Sequence, residues 1–491
     1  MTGAGQRGSK GFDLASRTLW VAIGQSTVKL SQIVAALLLV RVLSPEEWSR
    51  AALLISVYVA GYSFGTLNLH QGVVFFLGRV APEHRRGVAI QTLLLLGAAG
   101  VLTALVVLAA SPLLGRSSFH IGHAGALVAL ALLLEIPSLA TSQFMIAHER
   151  TGLAAAFDAV FALLQLAALC VPTLRGHGID AAALALVGYA ALRLAAGTFF
   201  TLAMLPDGAW RAPRALMGEQ LRYTLPLALS MGMNVLNRGI DKWLVAAIDP
   251  LGFGAYAVAA QEVPLVSVVP YAIGAVLATR MVKAFLAGDF ERVRGYWLAQ
   301  TARMSMIVVP AAIALILIAP EGILLVFTRD FDLAVLPFQL YTVILLQRVA
   351  EYGLVLRTAG QTEALWACTG VLLVTNVVAT VPLTFAFGTL GAACGPLVAS
   401  VASWLYALHR IRGALHTGWA GVFPWAVYRR VFIVATCAGL LTGWIVDASA
   451  LAAGGLTERL AMKLVVFVAL VWGSFKVLKV ERMLPPVPAE D

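Results

Sequence analysis

Charge is what this 491-residue sequence has least of: 12% of its residues are Asp, Glu, Lys or Arg, against 60% hydrophobic. A soluble domain is about a quarter charged and about half apolar. No polar stretch is long enough to fold as a soluble domain, which leaves one integral membrane domain with short tails. Cysteine is scarce as well. Cys170, Cys368, Cys394 and Cys437 all fall in apolar runs, and no CxxC or Cys/His spacing points to a disulfide framework or a metal site. No Walker A sequence is present, so ATP hydrolysis by this chain is not expected. The histidines are scattered, without the helical pairing that would hold a metal, and no acidic cluster suggests glycosyl transfer. The expectation is a protein that is not an enzyme, with no catalytic residue, no metal and no cofactor.

What the chain does have is apolar runs of about 20 residues, the length that crosses a bilayer as a helix. They imply an all-α polytopic membrane protein. Fourteen candidate spans run at 18–42, 51–77, 88–110, 124–147, 153–174, 181–204, 221–247, 253–279, 298–319, 334–356, 362–386, 390–409, 428–447 and 459–477. The seventh is the most polar and the eighth is interrupted by prolines. The polar start MTGAGQRGSKGFDLASR precedes no small-residue cleavage site, so the first span itself is expected to target the chain.

The net charge of +10 reads as membrane topology and not as nucleic-acid binding. With the N-terminus placed in the cytoplasm, 22 of the 35 basic residues fall in inner segments, 6 in outer segments and 7 within spans. Lys and Arg collect in cytoplasmic loops, so this asymmetry supports both the span count and two cytoplasmic termini. Trp20, Trp210, Trp297, Trp425 and Trp472 fall near inner ends, and Trp48, Trp243 and Trp444 near outer ends, where interfacial belts place such rings.

The sequence also repeats. A shift of 205 residues sets Ser44 on Asp249, Pro45 on Pro250, Trp48 on Phe253 and Ala52 on Ala257. GHGIDAAALAL at 176–186, entering the sixth span, matches FGTLGAACGPL at 387–397, entering the twelfth, with nearly the same offset. Six spans repeated in one orientation imply two bundles related by an axis along the membrane normal, an arrangement in which transporters bind substrate between the halves. The resulting division is a tail at 1–17, a first six-helix bundle at 18–204, a cytoplasmic linker at 205–220, a second bundle at 221–412, two additional helices at 413–479 and a tail at 480–491.

Polar residues inside the spans carry the functional signal, because a charge in hydrocarbon normally faces a protein interior or a water-filled cavity. Gln25, Lys29 and Gln32 share one face of the first span, which contains no acid. They read either as a cavity wall or as a lysine awaiting an acid from a neighbouring span. In the seventh span Asn237, Arg238, Asp241 and Lys242 cluster, with Arg238 and Asp241 three apart and able to pair. Arg348 and Glu351 have the same spacing in the tenth span, and Arg193 can pair with Asp158 of the fifth. Glu262, before Pro264 and Pro270, reads as a proton-coupling site or a partner for Arg238; Glu135, beside Pro137, is a similar case. Arg303 and Lys463 lie about five residues from span ends, close enough to snorkel.

RVLSPEEW after the first span, LRYTLPLALS opening the seventh, LNRGIDKWLV, GFGAYAVAAQ and FGTLGAA together resemble the polysaccharide-transporter branch of the MOP superfamily. Its members include O-antigen and exopolysaccharide flippases. The resemblance covers about residues 12–412, and fourteen spans also fit the lipid II flippase branch. One departure is EEWSR, where Trp48 or Ser49 stands in place of the family's usual glycine. The resemblance implies flipping of an undecaprenyl-diphosphate-linked oligosaccharide across the bacterial inner membrane by alternating access, with membrane lipids, a polysaccharide polymerase and export proteins as partners and no nucleic acid. A diphosphate needs cations and donors that replace its hydration. Lys29, Arg238, Lys242 and Arg348 are the cations expected at the substrate, and Gln25, Gln32 and Asn237 the donors. Asp241, Glu262 and Glu351 are expected to couple ions or pair charges. Two alternatives stand beside this: an ion-coupled multidrug exporter of the same fold, which an acid-lined cavity would favour, and a non-transporting subunit of a polysaccharide assembly complex.

Overall fold

A backbone in hydrocarbon has no water to bond to, so each crossing must close its own hydrogen bonds, and the helix does this within one segment. The computed structural model describes residues 24, 26–66, 69–114, 122–205, 210, 214–261, 277, 280–327, 329–448, 454–486 and 488, and among these every regular element is helical. Residues 26–42 form α1. There follow α2 (Pro45–Gly65), α3 (Leu69–Arg79), α4 (Pro82–Leu114), α5 (Gly122–Ser138), α6 (Ala140–Ala147), α7 (Thr151–Leu174), α8 (Gly178–Ala203), α9 (Arg214–Ile248) and α10 (Phe253–Ala259). Residues 280–286 form α11. The remainder are α12 (Phe290–Phe327), α13 (Val335–Val343), α14 (Tyr352–Thr358), α15 (Thr362–Ala414), α16 (Trp425–Ala448) and α17 (Leu456–Val477).

Among the described residues, nine helical stretches are long and apolar enough to cross a membrane. One of them, Glu363–Ala414, contains two expected spans, because Gly388 at φ 59° and ψ −138° breaks α15 between them. Four expected spans are absent from the nine. The first and eighth run into residues outside the described set, the second is interrupted after Gly65, and the seventh is made polar by its charges.

The chain forms two compact units, Met1–Val235 and Leu236–Asp491. Residues 214–220, read from sequence as linker, are the first two turns of α9. In the first unit α5 packs against α2, α4 and α8. Its span is 72% buried, against 33% or less for the other spans of that unit, so α5 is the helix the unit is built around. In the second unit α12 has that place, with α13, α16 and α17 packed on it. Val293, Trp297, Val308, Val349, Leu408 and Val431 form its core.

The internal repeat proves to be a repeat of helix-starting chemistry. Ser44 caps α2: its hydroxyl accepts from the Glu47 amide, and the Glu47 carboxylate accepts from the Ser44 amide at 3.1 Å. With Pro45 in the first turn, this is a capping box, which satisfies helix-end amides that would otherwise lack partners. At the matching position, Asp249 accepts from the Gly252 amide at 3.0 Å just before α10. Trp48 and Phe253, the next matched pair, are 2% and 1% exposed. Trp48 is therefore a core residue, not an interfacial anchor, and so is Trp297, fully buried with Nε1 donating to the Val422 carbonyl at 2.7 Å. Trp210, Trp444 and Trp472 remain more than 60% exposed, as interfacial rings would be.

The turns before α8 and within α15 also correspond. Gly178 and Gly388 both have positive φ, at 74° and 59°. In α15 the two arms then close tightly, so that a Cβ on Gly391 would meet the Leu383 carbonyl at 1.8 Å. Only glycine adopts the Gly388 conformation without strain, so Gly388→Ala should cost about 1–3 kcal/mol. A lowered thermal midpoint of the purified chain checks this; an unchanged midpoint contradicts it.

Candidate functional site

Each unit has a polar centre inside its apolar packing. In the first unit it is Glu135 on α5, fully buried. Arg193 on α8 donates Nη1 to Glu135 Oε1 at 3.0 Å, and its Nη2 lies 3.8 Å from Asp158 Oδ1 on α7. Tyr189 donates to the same Glu135 oxygen at 3.0 Å and Tyr58 donates to the other. Gln165 donates to the Tyr58 hydroxyl at 2.7 Å, and Ser142 donates to Asp158. The pairing of Arg193 with Asp158 read from spacing is thus the weaker of two contacts; Glu135 is the nearer partner. Five helices, α2, α5, α6, α7 and α8, contribute to this cluster. One guanidinium faces two carboxylates there, and neutral hydroxyl donors from Tyr58, Tyr189 and Ser142 supply the remaining hydrogen bonds.

On α1 the residues that pack inward are Ser31, Ala35 and Leu39, each at most 7% exposed. Lys29 and Gln32 project from the exposed part of the helix. Among the described residues no hydrogen bond or ion pair engages the Lys29 ammonium. Gln25 lies outside the described residues.

In the second unit the polar residues of α9 separate by environment. Arg238 is exposed, Asn237 and Lys242 are half-buried, and Asp241 is 2% exposed. The Asp241 carboxylate accepts from Tyr256 on α10 at 2.9 Å and from Tyr341 on α13. Asn237 accepts at Oδ1 from Asn376 on α15 at 2.9 Å. Asn376 in turn accepts from Thr380 at 2.6 Å, so a buried polar ladder climbs α15 from the contact with α9.

The tenth span corrects the helical reading of Arg348 and Glu351. The helix ends in a 3-10 turn, Ile344–Gln347, and resumes at Tyr352, so residues 348–351 are not helical and the three-residue spacing no longer sets the two on one face. Glu351 pairs with Arg357. Arg348 is exposed, and among the described residues its guanidinium has no partner. Glu262, Pro264 and Pro270 lie outside the described residues.

Lys463 gives a further correction. It is 5% exposed and donates to Glu321 at 2.7 Å, so it is paired inside the second unit and does not snorkel. Arg459 lies 3.3 Å from the same Glu321 oxygen and 3.2 Å from Asp447. These contacts tie α16 and α17, the helices beyond the repeat, to α12. Arg303 does reach a terminus: it donates to the Pro485 carbonyl at 3.4 Å.

The sign of the membrane interior follows. Among the described residues, the acids deep in the spans are all held: Glu135 and Asp158 by Arg193, Asp241 by tyrosines, Glu321 by Lys463 and Arg459, Glu351 by Arg357. Lys29, Arg238 and Arg348 are exposed. No group of three or more His, Cys, Asp or Glu among the described residues is placed to hold a metal ion.

The profile of a family described as polysaccharide biosynthesis protein matches residues 38–336, more than half of the chain. The chain belongs to that family. No curated protein matches it in sequence. Among solved structures, lipid II flippase MurJ in an inward closed conformation superposes with a TM-score of 0.71 at 12% identity, covering 94% of this chain and 100% of that one. A MOP superfamily transporter from Pyrococcus furiosus, described as having a binding pocket of reversed polarity, gives 0.54 at 14% identity, covering 83% and 96%. An outward-facing multidrug resistance MATE family transporter gives 0.52 at 15%, covering 82% and 96%. These likenesses show that the chain shares the fold of these transporters.

For a polysaccharide biosynthesis protein of this fold, the residues that sequence reasoning passed over are mostly tyrosines. Tyr58, Tyr189, Tyr256 and Tyr341 sit in spans, where each hydroxyl needs a partner, and all four find an acid. Asn376, Thr380 and Thr384 recur every fourth residue in an apolar helix, a stripe visible in the sequence. Removing Arg193 leaves Glu135 buried without its cation, so Arg193→Ala should destabilise the protein by about 3–5 kcal/mol. Lys29→Ala should change stability by no more than about 0.5 kcal/mol. Thermal unfolding of the purified variants distinguishes the two; equal effects contradict the division of these cations into structural and exposed.

Proposed function

We propose that this chain flips an undecaprenyl-diphosphate-linked oligosaccharide, an O-antigen, capsule or exopolysaccharide repeat unit, from the cytoplasmic to the periplasmic face of the bacterial inner membrane. The family, polysaccharide biosynthesis protein, and a fold shared with a lipid II flippase support reading the chain as a multi-pass, flippase-type transporter. The observation that carries the finer reading is the sign of the interior. Among the described residues the deep acids are engaged by the protein itself, and Lys29 and Arg238 are exposed. A cationic drug would need acids where this chain presents bases. A diphosphate needs what it presents: a compact ammonium and a planar guanidinium able to take two phosphate oxygens.

In this reading Lys29 and Arg238 bind the diphosphate, with Lys242 and Arg348 adding charge. Gln25, Gln32 and the Asn237 amide bond phosphate or sugar hydroxyls, and the prenyl chain stays in lipid. Both termini lie in the cytoplasm, and polymerase and export proteins take the product on the far side.

Losing one charged hydrogen bond costs about 1.5–3 kcal/mol, about tenfold or more in binding. Lys29→Ala and Arg238→Ala, each at equal protein level, should therefore accumulate lipid-linked sugar on the cytoplasmic face and lower surface polymer by about that factor. Normal polymer output from both variants removes these residues from the site.

A further inference from the structure

α16 and α17 lie outside the repeat and run antiparallel, and their charges divide unevenly between the two ends. At one end Arg459 lies 3.2 Å from Asp447 and 3.3 Å from Glu321, and Glu458 accepts from the Gly455 amide at 3.3 Å. At the other end stand Arg429 and Arg430, early in α16, with Lys476, Lys479 and Arg482, at the close of α17 and in the 3-10 turn Val480–Met483. All five are exposed, and Glu481 is the one acid among residues 424–434 and 472–486. Among the described residues none of the five forms an ion pair. Arg430 donates to the Met483 thioether at 2.7 Å, and the Lys476 ammonium lies 3.7 Å from the centre of the Trp472 ring. Neither partner carries a charge, so neither neutralises its cation.

This end is held in place. Lys479 at φ 48° turns the chain back after α17, and Val480 is fully buried in the core that Val427 and Val431 of α16 share, with Met483 packed against it. Cations fixed on packed elements lose little freedom when they bind. The same helices carry exposed stripes that run away from the charges. On α17 Val465, Val468, Trp472 and Lys476 follow one another at three- and four-residue spacing, and on α16 so do Arg430, Ile433, Cys437, Leu440 and Trp444. Each stripe leads from a cation into apolar side chains, and on α17 the Trp472 ring lies between the two, where an interfacial ring belongs. That order matches a phospholipid, with phosphate at the cations and acyl chain along the helix.

We propose that the start of α16 and the end of α17 form a docking site for an anionic phospholipid of the surrounding bilayer. Basic clusters at the mouths of membrane helices bind such headgroups. Arg429 and Arg430 on one helix, and Lys476, Lys479 and Arg482 on the other, suit a lipid that carries two phosphates, one for each group. Arginine grips phosphate oxygens in pairs, and lysine adds a compact charge. The site gives the two helices outside the repeat a task of their own, as the part of the second unit that seats it in the charged leaflet, and it does not rest on the proposed transport.

The test titrates the purified full-length chain in detergent with cardiolipin and, separately, with phosphatidylcholine, and counts bound lipid by native mass spectrometry. The wild type should prefer cardiolipin. R430Q and K476Q should each weaken cardiolipin binding about fivefold, the scale of one basic residue at a lipid surface. The quadruple variant R429Q/R430Q/K476Q/K479Q should bind cardiolipin no better than phosphatidylcholine, while R175Q, an exposed cation elsewhere, should bind as the wild type does. Salt at about 1 M, where the Debye length shrinks to about 3 Å, should abolish the preference of the wild type. Where the quadruple variant melts below the wild type, the single variants and the salt titration carry the test. Equal binding of the two lipids by the wild type, a preference that salt leaves intact, or a folded quadruple variant with wild-type cardiolipin binding overturns the proposal. Displacement of the lipid by inorganic diphosphate at equal concentration assigns the cations to a soluble anion and also overturns it.

Discussion

An ionised side chain in hydrocarbon must be satisfied by the protein or face water, and this constraint organises the whole molecule. Breaking a buried pair costs about 3–5 kcal/mol, comparable with the total stability of many proteins. The first unit meets the demand with one arginine between two carboxylates, buttressed by hydroxyls from three helices. The second meets it twice, through the tyrosines on Asp241 and through the cations on Glu321. Among the described residues the deep acids are accounted for internally, and Lys29, Arg238 and Arg348 are exposed.

The scaffold owes its repetition to local chemistry of the same economical kind. A side-chain cap at Ser44 and at Asp249 starts a helix, and a large buried ring at Trp48 and at Phe253 anchors it. Positive-φ glycines at 178 and 388 let one span turn into the next. The two helices outside the repeat are joined to α12 by apolar contacts at Ile313 and Leu317 and by the Glu321 ion cluster. They thereby become part of the second unit.

Much of this was legible in the sequence, because membrane helices write themselves as apolar runs and their ends as Pro, Gly and capping residues. Gly388 sits where the eleventh span was read to give way to the twelfth, and the depth of Arg193 already required a buried acid. Other features were hidden for physical reasons. Lys463 lies near a span end and so looked able to reach water; only the fold shows Glu321 beside it. Arg348 and Glu351 were read on helical spacing, but the helix opens between them and Glu351 finds Arg357. Trp48 and Trp297 lie at interfacial depth yet face inward, a distinction of helix rotation that position along a span does not reveal. The tyrosines on Asp241 come from elements up to 100 residues away, and no local pattern announces them.

The central claim is that the membrane interior of this protein is built for an anionic headgroup. Reconstitution of the purified chain into lipid vesicles tests it most directly, with translocation of a fluorescent polyprenyl-diphosphate sugar measured beside uptake of a cationic dye. The account predicts transfer of the diphosphate lipid between leaflets and no movement of the dye. Dye transport without transfer of the diphosphate lipid would contradict it.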